Sequence, residues 1–408
     1  MLSQRSLRRR QHPYLFSAGL IMAVLLAALA WPRAVTNAAP LAPSAPARGL
    51  VRPGYAAAPL AGVLALPLRS YLPVIYGPTA HVYWGAFVGG TLPTAAALQP
   101  SGAIGQFETQ SGKKQSLVQW GQPWQSGGVL QPFQTQYFEN VRQHGSIPVL
   151  DWASWDPAGS SDQPNFQLNQ IINGSFDTYL QQWAAAAKAW GHPFFLRFDW
   201  EMNGNWRFPW SAQLNGNTPA DYINAWRHVH DVFTQVGATN ATWVWCPNIA
   251  SHAPPSPSVP YDQLYPGDNY VDWTCLDGYN FYTGVWLSFN TVFTGSGVGW
   301  LDNSYQELLT VAPTKPIMIG ETASFEGDNT GAMKAAWITD AYGTQIPNNL
   351  NRIKAVIYFS WNDNDPSATL PINSSPASMA AFAAAISSSN YASTQFANLN
   401  TAPIPPLP

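Results

Sequence analysis

The sequence predicts an α/β fold, a (β/α)8 barrel formed by a single domain. Three observations lead there. Eight short runs rich in β-branched and aromatic residues, each bounded by Gly, Pro, Asn or Asp, recur between residues 81 and 362. Helical patterns or loops fill the gaps between them, the alternation of a parallel sheet closed on itself. No GxGxxG or Walker-type loop favours an open doubly wound sheet.

The elements follow in chain order. Arg5, Arg8, Arg9 and Arg10 precede an apolar run from Tyr14 to Trp31, with Ala38 and Ala39 beyond it. Residues 1–39 therefore read as a secretory signal peptide, or as a signal anchor if they are retained. Either way the body of the protein is expected outside the cytoplasm, secreted or tethered to the membrane by this segment alone. Residues 40–78, rich in Pro and Ala, read as an extended linker. The barrel is expected over residues 79–388.

Its strands are HVYWGAFVG (81–89), SLVQWGQPW (116–124), SIPVLDWASW (146–155), PFFLRFDWEMN (193–203), TWVWCPN (242–248), WTCLDGYNFY (273–282), PIMIGETAS (316–324) and RIKAVIYFSWN (352–362). Thr218 before Pro219 reads as a helix N-cap, and Gly191 and Gly237 stand where helices should end. Residues 389–408, ending TAPIPPLP, read as a flexible tail. Cys246 and Cys275 fall on neighbouring strands, either bridged in an oxidising compartment or left as two core thiols.

Composition bounds the function. Hydrophobic residues are 46% of the chain and charged residues 10%, with a net charge of −3, so there is no electrostatic footprint for nucleic acid. Trp 19, Tyr 17 and Phe 19 suit a neutral, hydroxyl-covered ligand that stacks on rings. No heptad or apolar patch calls for a partner subunit, so a monomer is expected.

In such barrels, chemistry sits at the C-terminal ends of the strands. The fourth run ends in Glu201 and the seventh in Glu321, and these two strands face each other across the mouth. Two carboxylates over one bond are what glycoside cleavage needs, one as proton donor and one as nucleophile or base. Arg197, Asp199 and Glu201 share strand parity, so Arg197 and Asp199 are expected in a polar layer beneath Glu201 if that side is the interior. Trp206, Trp210 and Trp361, with Trp120, Trp124, Trp152, Trp155, Tyr279 and Tyr282, gather at the same end and suggest sugar subsites.

Around these residues the chain resembles glycoside hydrolase family 26, known chiefly for β-mannanases, with relatives acting on mixed-linkage β-glucan and β-1,3-xylan. The family's acid/base segment, Arg-x-x-His-Glu-Met-Asn-Gly-x-Trp, here reads Arg197-Phe-Asp-Trp200-Glu201-Met-Asn203-Gly-Asn-Trp206. The stretch around Asp277-Gly-Tyr279 is similar to the family's sixth strand, Gly320-Glu321 to its nucleophile segment, and Trp361 to the tryptophan that floors the sugar beside the scissile bond.

The resemblance implies a secreted retaining endo-β-glycosidase working by double displacement. Glu201 would be the acid/base and Glu321 the nucleophile, with carboxyl groups roughly 5–5.5 Å apart. Arg197, Trp200, Asn203, Trp206, Tyr279 and Trp361 would bind substrate, and Tyr279 would hold Glu321. Glu201 should carry a raised pKa, held up by anionic Glu321. The polymer expected by default is β-1,4-mannan, but Trp200 replaces a histidine that helps bind the neighbouring sugar, so mixed-linkage glucan, β-1,3-xylan and exopolysaccharide stay open.

Two rival classes carry less weight. A metal hydrolase would need paired ligands at a strand end, and His228 and His230 instead occupy different faces of a helix. No cofactor or metal is therefore implied, and Asp363 and Asp365 read as a turn rather than a calcium loop. A binding barrel without activity would not require both glutamates.

Overall fold

The computed structural model describes residues 81–408 apart from 207, 254–256, 282–284, 363–364, 366 and 400. The expected signal segment and linker lie outside the described residues, as do Tyr282 and Asp363. Among the described residues, no helix is long and apolar enough to cross a membrane.

Eight strands form one parallel sheet: β1 (Val82–Val88), β2 (Leu117–Pro123), β3 (Ile147–Ala153), β4 (Phe194–Phe198), β5 (Ala241–Trp245), β6 (Trp273–Asp277), β7 (Ile317–Thr322) and β8 (Ile353–Ser360). Each pairs with the next, and β8 returns to β1 from Tyr83↔Ala355 to Val88↔Ser360, closing the barrel. Almost every strand residue is buried, because one face fills the interior and the other meets the helices. That is why the strands read as continuous apolar runs rather than alternating ones.

The helical layer ends where the sequence says it should. The helix Pro219–Val236 opens on a capping box between Thr218 and Asp221. Gly237 closes it, and Gly191 closes the helix Asp177–Trp190, both in the left-handed conformation that a side chain disfavours. The alternation of strand faces corrects the expected ring of sugar-binding tryptophans. Trp120 points outward against Phe138, and Trp152 packs on Trp183 of the helix Asp177–Trp190 with ring centroids 4.5 Å apart. Trp124, Trp155 and Trp210 are likewise buried among other aromatics, so these five indoles build the core.

The C-terminal residues also differ from expectation. Tyr391–Ala392 adds a short strand to the start of β1, and the proline-rich end then crosses the N-terminal mouth of the barrel. There the Ile404 amide donates to Thr242 Oγ1 (2.9 Å), Trp273 Nε1 donates to the Ile404 carbonyl (2.8 Å), and the Tyr83 hydroxyl donates to the Pro405 carbonyl (3.1 Å). Ile404 is 1% exposed. Composition suggested a loose tail, but prolines that cannot join a ladder suit an extended plug whose polar groups are met by interior side chains. Ile404→Asp should therefore cost about 3 kcal/mol or more in chemical denaturation, whereas a free tail would show no change.

Candidate active site

The chemistry collects at the opposite mouth. On β7 the pairing register slips beside Gly320, between Leu276 and Asp277 on one side and between Val356 and Tyr358 on the other. A side chain at Gly320 would put its Cβ 2.5 Å from Cys275 Sγ and 2.7 Å from Asp277 Oδ1. The absence of one lets the strand bulge and turns the next residue, Glu321, into the site. Glu321 Oε1 accepts from Arg197 Nη1 (3.2 Å), and Oε2 accepts from the Tyr279 hydroxyl.

Glu201 arrives differently. Strand β4 ends at Phe198, and Asp199 and Glu201 both take positive φ, 43° and 55°. The Glu201 amide donates to the Cys246 carbonyl (2.7 Å), which fixes this turn. Its carboxylate receives Asn248 Nδ2 on Oε1 (2.6 Å) and Trp206 Nε1 on Oε2 (3.1 Å). Trp206 reaches it by lying across Gly204, where a Cβ would come within 1.9 Å of the indole.

The broken strand also overturns the parity argument. Arg197 is interior, but Asp199 is not in its layer: it accepts from the Ser154 amide and hydroxyl (2.8 and 2.6 Å) at the end of β3. Arg197 instead joins Asp151 of β3 (2.8 Å) and Asp277 of β6 (2.5 Å), and Gln119 of β2 braces Asp151. One guanidinium thus pairs with three carboxylates, those of Asp151, Asp277 and Glu321, and acts on Glu201 through its charge.

Burial in that company keeps protons on. The Glu201 carboxyl is pushed up to about 7, first by burial and then by the charge of Glu321, with Asn248, Trp206 and Arg197 pulling the other way. Burial therefore leads, where the sequence pointed to Glu321 alone. Asp151 also rises to about 7 by burial, with Glu321 adding to the rise and Arg197 opposing it.

The other expected site residues divide. Tyr279 is 9% exposed and in contact with Glu321, and Trp206 and Trp361 are partly open. Trp361 leans on Phe87 and Phe359 at 5.9 and 6.1 Å. Trp200 packs against the stacked pair Phe208 and Trp210, with the Arg197 guanidinium 5.6 Å from its ring centre.

Arg197 and Asn203 are fully buried, so neither lies where a ligand could touch it. Arg197 supports Glu321 from below. Asn203 exchanges hydrogen bonds with the backbone of Asn248, donating to its carbonyl and accepting from its amide at 2.9 Å each. Asp365 is taken up by the Ser367 amide and hydroxyl. The sequence reading missed Asn248, Asp151 and Asp277 as supports. The signal for the two aspartates was a single charge in an otherwise apolar strand, as in IPVLDWA and WTCLD.

The family model for glycosyl hydrolase family 26 matches residues 106–295. Endoglucanase H of Acetivibrio thermocellus is 34% identical over 313 residues, 74% of this chain and 30% of that protein. The chain belongs to glycosyl hydrolase family 26.

A second relative within reach of this family 26 chain is mannan endo-1,4-beta-mannosidase A and B of Caldalkalibacillus mannanilyticus. It is 36% identical over 85 residues, 20% of this chain and 15% of that protein. The chain thus spans under a third of the length of either relative. Among solved structures, a GH26 β-mannanase from Bacteroides ovatus shares the fold, with a TM-score of 0.53 at 17% identity, covering 77% of this chain and 90% of that one. In the family 26 barrel described here, the two glutamates are mounted in unlike ways. One is fixed by an arginine and a phenol, the other by two N–H donors in a setting that favours its protonated form.

Proposed function

We propose that the chain is a retaining endo-β-glycosidase, with Glu321 as nucleophile and Glu201 as acid/base. The observation that carries this reading is the unequal mounting of the two carboxylates. Arg197 and the Tyr279 hydroxyl each donate to one oxygen of Glu321 and fix its carboxylate in place, as a nucleophile requires. Glu201, pushed up to about 7, holds a proton through mildly acidic pH and can give it to a leaving oxygen. In the first step Glu321 Oε attacks the anomeric carbon as Glu201 protonates the departing glycosidic oxygen. In the second, Glu201 takes a proton from water, which displaces Glu321 from the sugar.

The polymer is a finer question. Sequence alone makes β-1,4-mannan the default, but similarity to the endoglucanase extends over 313 residues, against 85 for the mannosidase. Together with Trp200, this moves the first choice to a β-glucan, with β-mannan as the second reading. Trp206, which donates to Glu201, and Trp361, just beyond β8, are both partly open and would stack the sugars on either side of the bond. Reducing-sugar release from mixed-linkage glucan, mannan, glucomannan and β-1,3-xylan tests both readings. Preference for mannan would reverse the order, and inactivity of folded protein on all four would remove the proposed substrate class.

The acid role also sets a pH dependence. Activity should fall as pH rises through about 7, where Glu201 loses its proton. The Asn248 amide donates to the carboxylate and so favours the ionised form. Asn248→Ala should move this basic limb upward, while costing about tenfold in kcat through lost orientation. An unmoved limb in the kcat/KM profile would detach Asn248 from the titration.

A further inference from the structure

Cys246 and Cys275 are both fully buried and joined by a disulfide. It lies at the thinnest seam of the barrel. Strands β5 and β6 pair only at Val244↔Trp273 and Trp245↔Thr274, and pairing resumes at the single bridge Asn248↔Asp277. The disulfide occupies the interval between these pairings.

Each cysteine belongs to the mount of one glutamate. The Cys246 carbonyl receives the Glu201 amide, and two residues on, Asn248 holds the Glu201 carboxylate. Cys275 stands two residues before Asp277, which grips Arg197, and four before Tyr279, which donates to Glu321. Cys246 Sγ itself lies 3.4 Å from Arg197 Nη2 and 3.3 Å from Asp277 Oδ1.

We propose that the Cys246–Cys275 disulfide is a crossbar that positions the Glu201 mount against the Glu321 mount. The inference rests on the acid/base and nucleophile roles given above. It separates the bridge from a staple that merely stabilises, because a staple would change melting temperature and leave the active-site titration alone.

The groups facing the Glu201 carboxyl are Glu321 from β7, Arg197 from β4, Asp277 from β6 and Tyr279 just beyond it, together with the Asn248 and Trp206 donors. If the mounts drift apart, water enters and Glu321 acts from farther away. Both changes let Glu201 lose its proton at lower pH.

The bridge is tested first on the full chain, unfolded in guanidinium and alkylated with iodoacetamide. Both cysteines should stay unmodified unless dithiothreitol is added beforehand; it supplies two electrons and two protons, yields two thiols and leaves as its cyclic disulfide. Alkylation of either cysteine without reductant overturns the proposal whatever the variants do.

The double variant Cys246→Ala/Cys275→Ala should then lose about tenfold in kcat with KM within about twofold, and its basic pH limb should move down. A lower melting temperature with unchanged kcat and an unmoved limb would reduce the bridge to a staple. Should the double variant not fold, Cys275→Ala alone carries the same comparison. Glu321→Ala guards the premise: if it is as active as wild type, the assigned roles have failed rather than the crossbar.

Discussion

Glu321→Ala should abolish turnover, with kcat/KM on the preferred polysaccharide falling by about 10⁴-fold or more. The loss should be equally deep on activated aryl glycosides, because no leaving group, however good, replaces the missing nucleophile. The fold should survive. Arg197 keeps Asp151 at 2.8 Å and Asp277 at 2.5 Å when the third anion is removed, so its charge does not become unpaired. Circular dichroism and a melting curve close to wild type would separate lost chemistry from lost structure. A variant that is folded yet retains more than about a hundredth of wild-type activity would move the nucleophile elsewhere. The stereochemistry offers an independent check: proton NMR of the first product formed by wild type should show the β anomer, and an α product would mean that water attacks directly.

The barrel was legible because it is written in local chemistry. Eight apolar runs bounded by breakers became eight strands, Thr218 opened a helix, and Gly191 and Gly237 closed helices at their own positions. The two glutamates were legible as rare charges at strand ends. What failed was extrapolation of a regular period past the end of its element. Side-chain parity put Asp199 with Arg197, but β4 stops at Phe198, and positive φ at Asp199 and Glu201 resets the direction of both.

Tryptophans at strand ends looked like a sugar platform until alternation sent Trp120 and Trp152 to the helical layer, a choice that only closure of the barrel decides. Asn248 gave no signal because its partner is 47 residues away in sequence. The C-terminal plug was hidden for a related reason. Its proline-rich composition matches a linker, and only Thr242, Trp273 and Tyr83, gathered from three strands, give its backbone somewhere to bind.

Glu201→Ala should behave unlike its partner, and the contrast is the sharper test of the assigned roles. An acid catalyst matters in proportion to how badly the leaving group needs a proton. On polysaccharide, where the departing alcohol is a poor leaving group, kcat/KM should drop by about 10³- to 10⁴-fold. On a dinitrophenyl glycoside the first step needs little protonation, so the glycosyl–enzyme should still form and then persist, because no base activates water. A burst of phenol followed by a slow steady state is the expected trace, and azide, which attacks without base help, should speed the second phase. The basic limb assigned to Glu201 should vanish from the residual pH profile, since the group pushed up to about 7 is gone. Asp151, pushed up to about 7 as well, is buried beneath the site beside Arg197 and remains in the variant. A limb that survives Glu201→Ala would therefore belong to Asp151, and equal losses on both substrate types would remove Glu201 from the acid/base role.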